Sequence, residues 1–256
     1  MSYPETYDKM QYITWHQNEF ESGSNILDKI ANFSEESTSF LFNDDKKILN
    51  GLFQFINESV RIAKIRRSNI NFDITPEIPK NQSEFKQRYL KSENSIINKL
   101  WRKNKNQSVV KIDEIRTKLK DLIRFSIKVD SLKSAEILAN VFSDRALLSE
   151  NSETAKEYFK SVLEKIEVDS EMKMSSGYFA YHCYFHFYSQ FIIEVQIFSE
   201  LTNYWRKISH STYEKARINA TNSMKFNDFN SRIISIGHML YIAECELYNI
   251  EKELDE

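Results

Sequence analysis

The strongest constraint on this chain is a pair of neighbouring segments in which apolar side chains recur at every second residue. In the first, Phe179, Tyr181, Cys183, Phe185 and Phe187 alternate with Tyr178, Ala180, His182, Tyr184 and His186. Between Phe191 and Phe198 the pattern returns, with Ile193, Val195 and Ile197 on one side and Glu194 and Gln196 on the other. A period of two sorts side chains onto the faces of a strand, not of a helix. Two such strands paired together would present an aromatic ring, a histidine and a carboxylate on otherwise apolar surroundings. Glu194 is costly there unless it is paired, metal-bound or facing water. Gly177-Tyr178 opens the first run. With only 4 glycines in 256 residues, a glycine at that point implies a tight or close-approaching backbone.

A third strand is expected at 122–129, where Ile123, Phe125, Ile127 and Val129 alternate with Leu122, Arg124, Ser126 and Lys128. Elsewhere spacings of three and four dominate. Ile48, Leu49, Leu52, Phe55, Ile56, Val60 and Ala63 predict an amphipathic helix over 44–67. The first 42 residues are polar, with room for a short helix near 26–33. Pro76 and Pro79 read as a break before the core. Further helices are expected over 83–104, 131–142, 152–166, 199–217 and 228–253. In the first of these, Lys91, Ser95 and Lys99 would share a face. That stripe is either a solvated charged surface or a grip for polyphosphate. The element order gives an α+β class, a small mixed sheet flanked by helices. It divides the chain into a helical N-terminal extension (1–80), a core (81–217) and a C-terminal helix (218–256).

Charge and cysteine content exclude several classes. Thirty-five basic and 37 acidic residues leave a net charge of −2, so the overall field does not mark a nucleic-acid binder. RNA contact would need a local patch; Lys64–Arg67 and Arg102–Lys105 are basic clusters that could guide a tRNA acceptor stem, but they read more readily as charge at helix C-termini. Cys183 and Cys245 both lie in apolar runs and read as buried thiols of a reducing compartment. No apolar run reaches the ~18 residues of a membrane span, and the N-terminus lacks a secretory pattern. A cytoplasmic protein with no membrane partner is expected. Zinc-ligand spacing, a Gly-x-Ser-x-Gly turn and a phosphate-binding Walker loop are all absent from the sequence.

Gly177-Tyr178-x-x-x-His182 followed by Glu194-Val195-Gln196-Ile197 resembles the synthetase domain of the RelA/SpoT family, whose members move pyrophosphate from ATP to the 3′-hydroxyl of a guanosine nucleotide. Three more segments fall in that family's order. Lys91-Ser92-Glu93-Asn94-Ser95-Ile96-Ile97-Asn98-Lys99 resembles its ATP-holding helix. Asp121-Leu122-Ile123-Arg124 resembles the strand that begins with a magnesium-binding Asp. Trp205 to Ser211, with Lys215, resembles the helix after the Glu strand. The resemblance spans roughly residues 85–217.

It implies a nucleotidyltransferase-like sheet, a transferase of the GTP diphosphokinase kind, and Mg²⁺ as cofactor held by Asp121 and Glu194. ATP would be bound by Lys91, Ser92, Ser95, Lys99 and Arg124, and the acceptor by Lys173, Gly177, Tyr178 and His182. Asp121, Glu194 and Gln196 would carry the chemistry, with Glu194 deprotonating or orienting the 3′-hydroxyl and Gln196 orienting Glu194 or the ribose. Read without the resemblance, Asp121 is a turn residue satisfied by backbone amides, Tyr178 an ordinary half-exposed strand tyrosine and His182 a hydrogen-bonded structural histidine.

No His-Asp dipeptide occurs, so the hydrolase domain of larger family members is not expected. The sequence departs from the family pattern at Tyr89 and Ser126, where arginines are usual, and around Tyr213 and Glu214. The family also contains toxins that pyrophosphorylate the 3′ end of tRNA, and a catalytically degenerate nucleotide-binding module would keep the same fold. A homo-oligomer or an antitoxin partner is compatible with the N-terminal 80 residues and the C-terminal helix.

Overall fold

A computed structural model describes residues 2–20, 25–42, 48–66, 74–105, 109–173, 178–218 and 229–255. Helices α1 (Lys9–Glu19), α2 (Ile26–Phe42) and α3 (Ile48–Arg66) precede the edge strand β1 (Ile74–Glu77). A short helix α4 (Gln82–Glu84) runs into a π-helical turn, Phe85–Tyr89, followed by α5 (Glu93–Lys105) and α6 (Ile115–Lys118). Strand β2 (Ile123–Val129) leads to α7 (Leu132–Ser143), α8 (Arg145–Asn151) and α9 (Glu153–Ser161). Strands β3 (Leu163–Lys173), β4 (Tyr178–Phe187) and β5 (Ile192–Ser199) follow, then α10 (Glu200–Ile218) and α11 (Phe229–Asp255). The sheet order is β1-β2-β5-β4-β3. Strands β2 and β5 are parallel and the other pairings antiparallel, so this is the mixed sheet flanked by helices that the sequence implies.

The alternation in β2, β4 and β5 builds two unlike faces. Ile123, Phe125, Ile127, Cys183, Phe185, Ile193, Val195 and Ile197 are buried on one of them, against α7. Helix α3 adds a second layer, with Phe55 at its centre. The Phe55 ring lies 5.5 Å from Phe159, 5.8 Å from Phe185 and 6.2 Å from Phe142. A single apolar cluster continues from Tyr12 in α1 to Ile197 in β5. The opposite face carries Arg124, Ser126, Glu194, Gln196 and His182, in register across three strands.

Several local expectations change. Helix α2 runs nine residues past the expected 33 and α1 is an additional helix. The serine-rich stretch stays helical because Ser37 and Thr38 donate their hydroxyls back to the carbonyls of Phe33 and Ser34, at 2.7 and 2.8 Å. Pro76 lies inside β1 rather than in a break, opposite Ile127. A proline is tolerated there because β1 is an edge strand.

The expected helix over 83–104 is interrupted. Leu90 bridges to Ile123, and the Lys91 amide donates to the Leu122 carbonyl at 2.8 Å. Lys91 therefore precedes α5 and does not share its face with Ser95 and Lys99. Asn81 caps α4 by accepting from the Glu84 amide at 2.9 Å. The expected helix over 152–166 stops at Ser161, and Leu163 to Lys173 is strand β3. Leu163 and Ile166 continue the helical spacing of α9, which hid a highly charged edge strand whose period-two signal is weak.

Helix α11 packs along α10 and α7. It is fixed by Thr202 donating to Glu244 at 3.0 Å and Tyr248 donating to Glu136 at 2.7 Å. Met239 and Leu247 on this helix are exposed. Cys183 and Cys245 are both free thiols, but only Cys183 is buried as expected; Cys245 is half-buried on α11, and burial pushes the Cys183 thiol far up from its usual range. Among the described residues no helix is long and apolar enough to cross a membrane.

Candidate active site

Strand register assembles the polar face. Arg124 in β2 lies opposite Glu194 in β5, Ser126 opposite Gln196, and His182 in β4 opposite Gln196 from the other side. Glu194 is 3% exposed yet fully engaged. The Arg124 Nε donates to its Oε2 at 2.5 Å, and its Oε1 lies 2.6 Å from His182 Nδ1 and accepts from Gln196 Nε2 at 3.2 Å. Tyr178 donates its hydroxyl to Gln196 Oε1 at 3.3 Å. Burial alone would raise the Glu194 carboxyl. The His182 hydrogen bond and the Arg124 charge outweigh it and hold the carboxyl down to about 2.

Asp121 stands two residues before β2, in the turn that the Lys91–Leu122 hydrogen bond pins to the head of α5. Three cations converge on it. Lys91 Nζ donates to Oδ2 at 2.8 Å, Lys99 Nζ donates to Oδ1, and Arg124 Nη2 reaches Oδ2 at 3.3 Å. Burial opposes its ionisation, but Lys91 and Lys99 hold the carboxyl well below the usual range. Burial in turn pushes Lys91 and Lys99 below the usual lysine range, against the pull of Asp121. Burial also works against the Arg124 charge, and Glu194 and Asp121 overcome it, raising Arg124.

Ser92 and Ser95 sit at the mouth of α5. The Ser95 amide points to Ser92 Oγ at 3.4 Å, and Ser92 Oγ donates to Ser95 Oγ at 2.9 Å. Of the residues singled out in the sequence, Lys91, Ser92, Ser95, Lys99, Asp121, Arg124, Tyr178, His182, Glu194 and Gln196 thus occupy this face or its rim. Lys173 ends β3 opposite Tyr178. Gly177 lies outside the described residues. Arg88, beside the departing Tyr89, pairs with Glu84 at 3.0 Å on the exterior, while Tyr89 packs edge-on against Phe125 at 5.5 Å.

Two residues of this face were not singled out in the sequence. Glu77 in β1 accepts from Ser126 Oγ at 2.9 Å. Arg206 in α10 places its guanidinium 4.2 Å from the centre of the Phe198 ring, within the electrostatic reach of Tyr178, Arg124, Glu77 and Glu194. Nothing in the sequence separates Arg206 from Lys207 beside it; only the rotation of α10 turns one inward and the other out.

The donor set suits a hard cation. Asp121 and Glu194 are both ionised carboxylates joined through one guanidinium, and Mg²⁺ takes one or two carboxylates and completes its shell with phosphate oxygens and water. The described residues contain no group of three or more histidine, cysteine or acidic residues that could hold an ion alone.

No protein-family model matches the sequence, and no curated protein matches it. Solved structures do. The small alarmone synthetase 1 from Bacillus subtilis bound to its product pppGpp matches with a TM-score of 0.50 at 16% identity, over 87% of this chain and 100% of that one. The small alarmone synthetase 2 from the same organism matches at 0.47 and 13% identity, over 85% and 98%. The protein smu.1046c from Streptococcus mutans UA159 matches at 0.47 and 16% identity, over 81% and 96%. The fold is that of the RelA/SpoT-type synthetase domain.

Proposed function

We propose that this protein is an ATP-dependent pyrophosphokinase that transfers the β,γ-pyrophosphate of ATP to the 3′-hydroxyl of GDP or GTP. The observation that supports this most is the convergence of two carboxylate clusters on one sheet face, Asp121 with Lys91 and Lys99, and Glu194 with Arg124, His182 and Gln196.

Pyrophosphoryl transfer is chiefly a matter of positioning and charge neutralisation. Lys91, Lys99 and Arg124 supply positive charge for the ATP phosphates, with Ser92 and Ser95 as hydroxyl partners. Asp121 and Glu194 would hold Mg²⁺, which supplies further neutralisation of the polyphosphate. Tyr178 offers a ring for the acceptor base, and His182 lies 12 residues before Glu194 on the paired strand, hydrogen-bonded to it.

In the reaction, the 3′-oxygen bonds to the β-phosphorus, the bond from that phosphorus to the α-phosphate oxygen breaks, and AMP leaves. The hydroxyl proton passes to Glu194. A carboxylate held at about 2 is a weak base, and a proton acceptor works best near the operating pH. Arg124 resolves this mismatch. Its side chain is 42% exposed, so it can turn from Glu194 to the incoming phosphates. That move removes the Arg124 share of the depression, the His182 hydrogen bond remaining, and so raises the proton affinity of Glu194 as substrate binds.

The test is incubation with Mg²⁺ and γ-labelled ATP, with GDP, GTP, AMP or bulk tRNA in separate reactions. Labelled guanosine nucleotide with equimolar AMP, abolished by Glu194→Gln, is the expected result. Label on tRNA alone would replace this reading with the toxin activity. No AMP in any reaction would leave a nucleotide-binding module.

A further inference from the structure

One cation of the polar face differs from the rest, including Lys128, which lies near Glu77 and Glu200. Along β5 the face runs from Glu194 through Gln196 to Phe198, and along β2 from Arg124 through Ser126 to Lys128, in parallel register. At the Glu194 end, Lys91, Lys99 and Arg124 are all paired with carboxylates. At the Phe198 end stands Arg206. Its guanidinium lies against the Phe198 ring at 4.2 Å. Among the described residues it makes no ion pair and donates no hydrogen bond. Burial, together with the like charge of Arg124, lowers its affinity for its proton relative to a free arginine, as expected of a cation without a close counter-charge.

Arginine stacked on an aromatic ring keeps the edge of its planar fork free for a bidentate oxyanion. A partly buried guanidinium with that edge free can receive an oxyanion. Tyr178, the ring offered to an acceptor base, donates to Gln196 at 3.3 Å, two residues along β5 from the Phe198 ring that holds Arg206, whereas Lys91 and Lys99 belong to the other end of the face. The anion Arg206 meets is therefore on the acceptor, not on ATP.

We infer that Arg206, held by Phe198, is a specificity-determining residue that binds the 5′-phosphate oxygens of a mononucleotide acceptor. This rests on the proposed function for the word acceptor, but not for the binding itself. The inference gives Phe198 a role as well. A flat ring at the end of the polar face holds the guanidinium in place without neutralising it, which a carboxylate in that position would do.

Calorimetric titration of the full chain with guanosine, GMP and GDP, without ATP, separates the two ideas. Wild type should bind GDP about tenfold or more tightly than guanosine, the size of one charge-assisted phosphate contact. Arg206→Gln should bring GDP to the guanosine affinity while leaving guanosine unchanged, and Arg206→Lys should recover part of the gap. Phe198→Leu, with the cation kept, should narrow the gap. Thermal unfolding of each variant checks that the fold is retained.

An unchanged GDP-to-guanosine ratio in Arg206→Gln, equal weakening of both ligands, or binding of tRNA but of no mononucleotide would each overturn the inference. If the ratio collapses as expected while the labelled-ATP reaction yields no AMP, the phosphate site stands and the pyrophosphokinase reading falls.

Discussion

Arg124 bridges Asp121 and Glu194, its Nε 2.5 Å from Glu194 Oε2 and its Nη2 3.3 Å from Asp121 Oδ2. One guanidinium thus holds together two carboxylates, one in the turn before β2 and the other in β5, across that parallel pair. The pairing has a consequence for stability as well as for chemistry.

Glu194 is buried and its carboxyl is held down to about 2. A carboxyl depressed in the folded state adds stability above its unfolded value, about 4.3, and that contribution disappears as pH falls through the folded value. Arg124→Gln should cost about 1–3 kcal/mol at pH 7, discounted for the exposure of the arginine. The gap between wild type and variant should narrow between about pH 4.3 and the folded value of about 2. Urea unfolding at pH 7 and pH 3 measures this, and a gap independent of pH would contradict it.

Asp121 separates two half-buried lysines that would otherwise repel. Asp121→Ala leaves both charges without their partner and should destabilise by about 3–5 kcal/mol, as for a broken buried pair. Adding Lys99→Met to that variant should restore part of the loss. A double variant less stable than the sum of the two single ones would show that repulsion between the lysines is not the cause.

Glu244 is buried beneath α10, accepting from Thr202 at 3.0 Å. Burial raises its carboxyl, against hydrogen bonds from Ser199 and Thr202. The sign is opposite to that of Glu194: wild type loses stability as pH rises through the raised folded value. Glu244→Gln keeps an acceptor without the charge. It should be about 1 kcal/mol more stable than wild type at pH 7, with the advantage vanishing near pH 4. Thermal unfolding at the two pH values distinguishes this from a simple packing effect, which would persist at both.

Gly51 lies inside α3, where alanine normally stabilises by up to about 1 kcal/mol. Here a Cβ would meet Tyr158 Cε2 at 2.7 Å. That ring stacks on Phe55 at 5.6 Å and its hydroxyl donates to the Ile48 carbonyl at 3.3 Å, so it has little room to give. Gly51→Ala should destabilise by about 1–3 kcal/mol, and Gly51→Ala with Tyr158→Leu should recover most of it. Stabilisation by the single substitution would show that the ring yields.

The candidate site was unevenly legible. Glu194, Gln196 and His182 stood out because a period of two puts polar groups on one side of an otherwise apolar strand. Asp121 and the two lysines are marked by their resemblance to a known segment, and the shared helix face that the lysine spacing suggests does not hold. Lys91 reaches Asp121 because Leu90 bridges to β2, and Lys99 because α5 starts immediately afterwards. Arg206 and Glu77 carried no signal, since a charged residue on a helix or a short edge strand looks like solvent-facing charge until its neighbours are known. Strand β3 was missed for a related reason: its alternation is charged on one side and its first apolar residues extend the spacing of α9.

By itself the sequence determined which segments alternate and which recur at three and four, and hence that β2, β4 and β5 each have one apolar and one polar side. Periodicity is local, and burial of the apolar side enforces it wherever the strand ends up. The tertiary structure alone decided which strands are neighbours, that β2 runs parallel to β5, and that Arg124 therefore faces Glu194 rather than a solvent ion. Those relationships join residues 70 apart in the chain, and no local pattern encodes the closure of so long a loop; it is settled by the shared core of α3, α7 and the apolar face of the sheet.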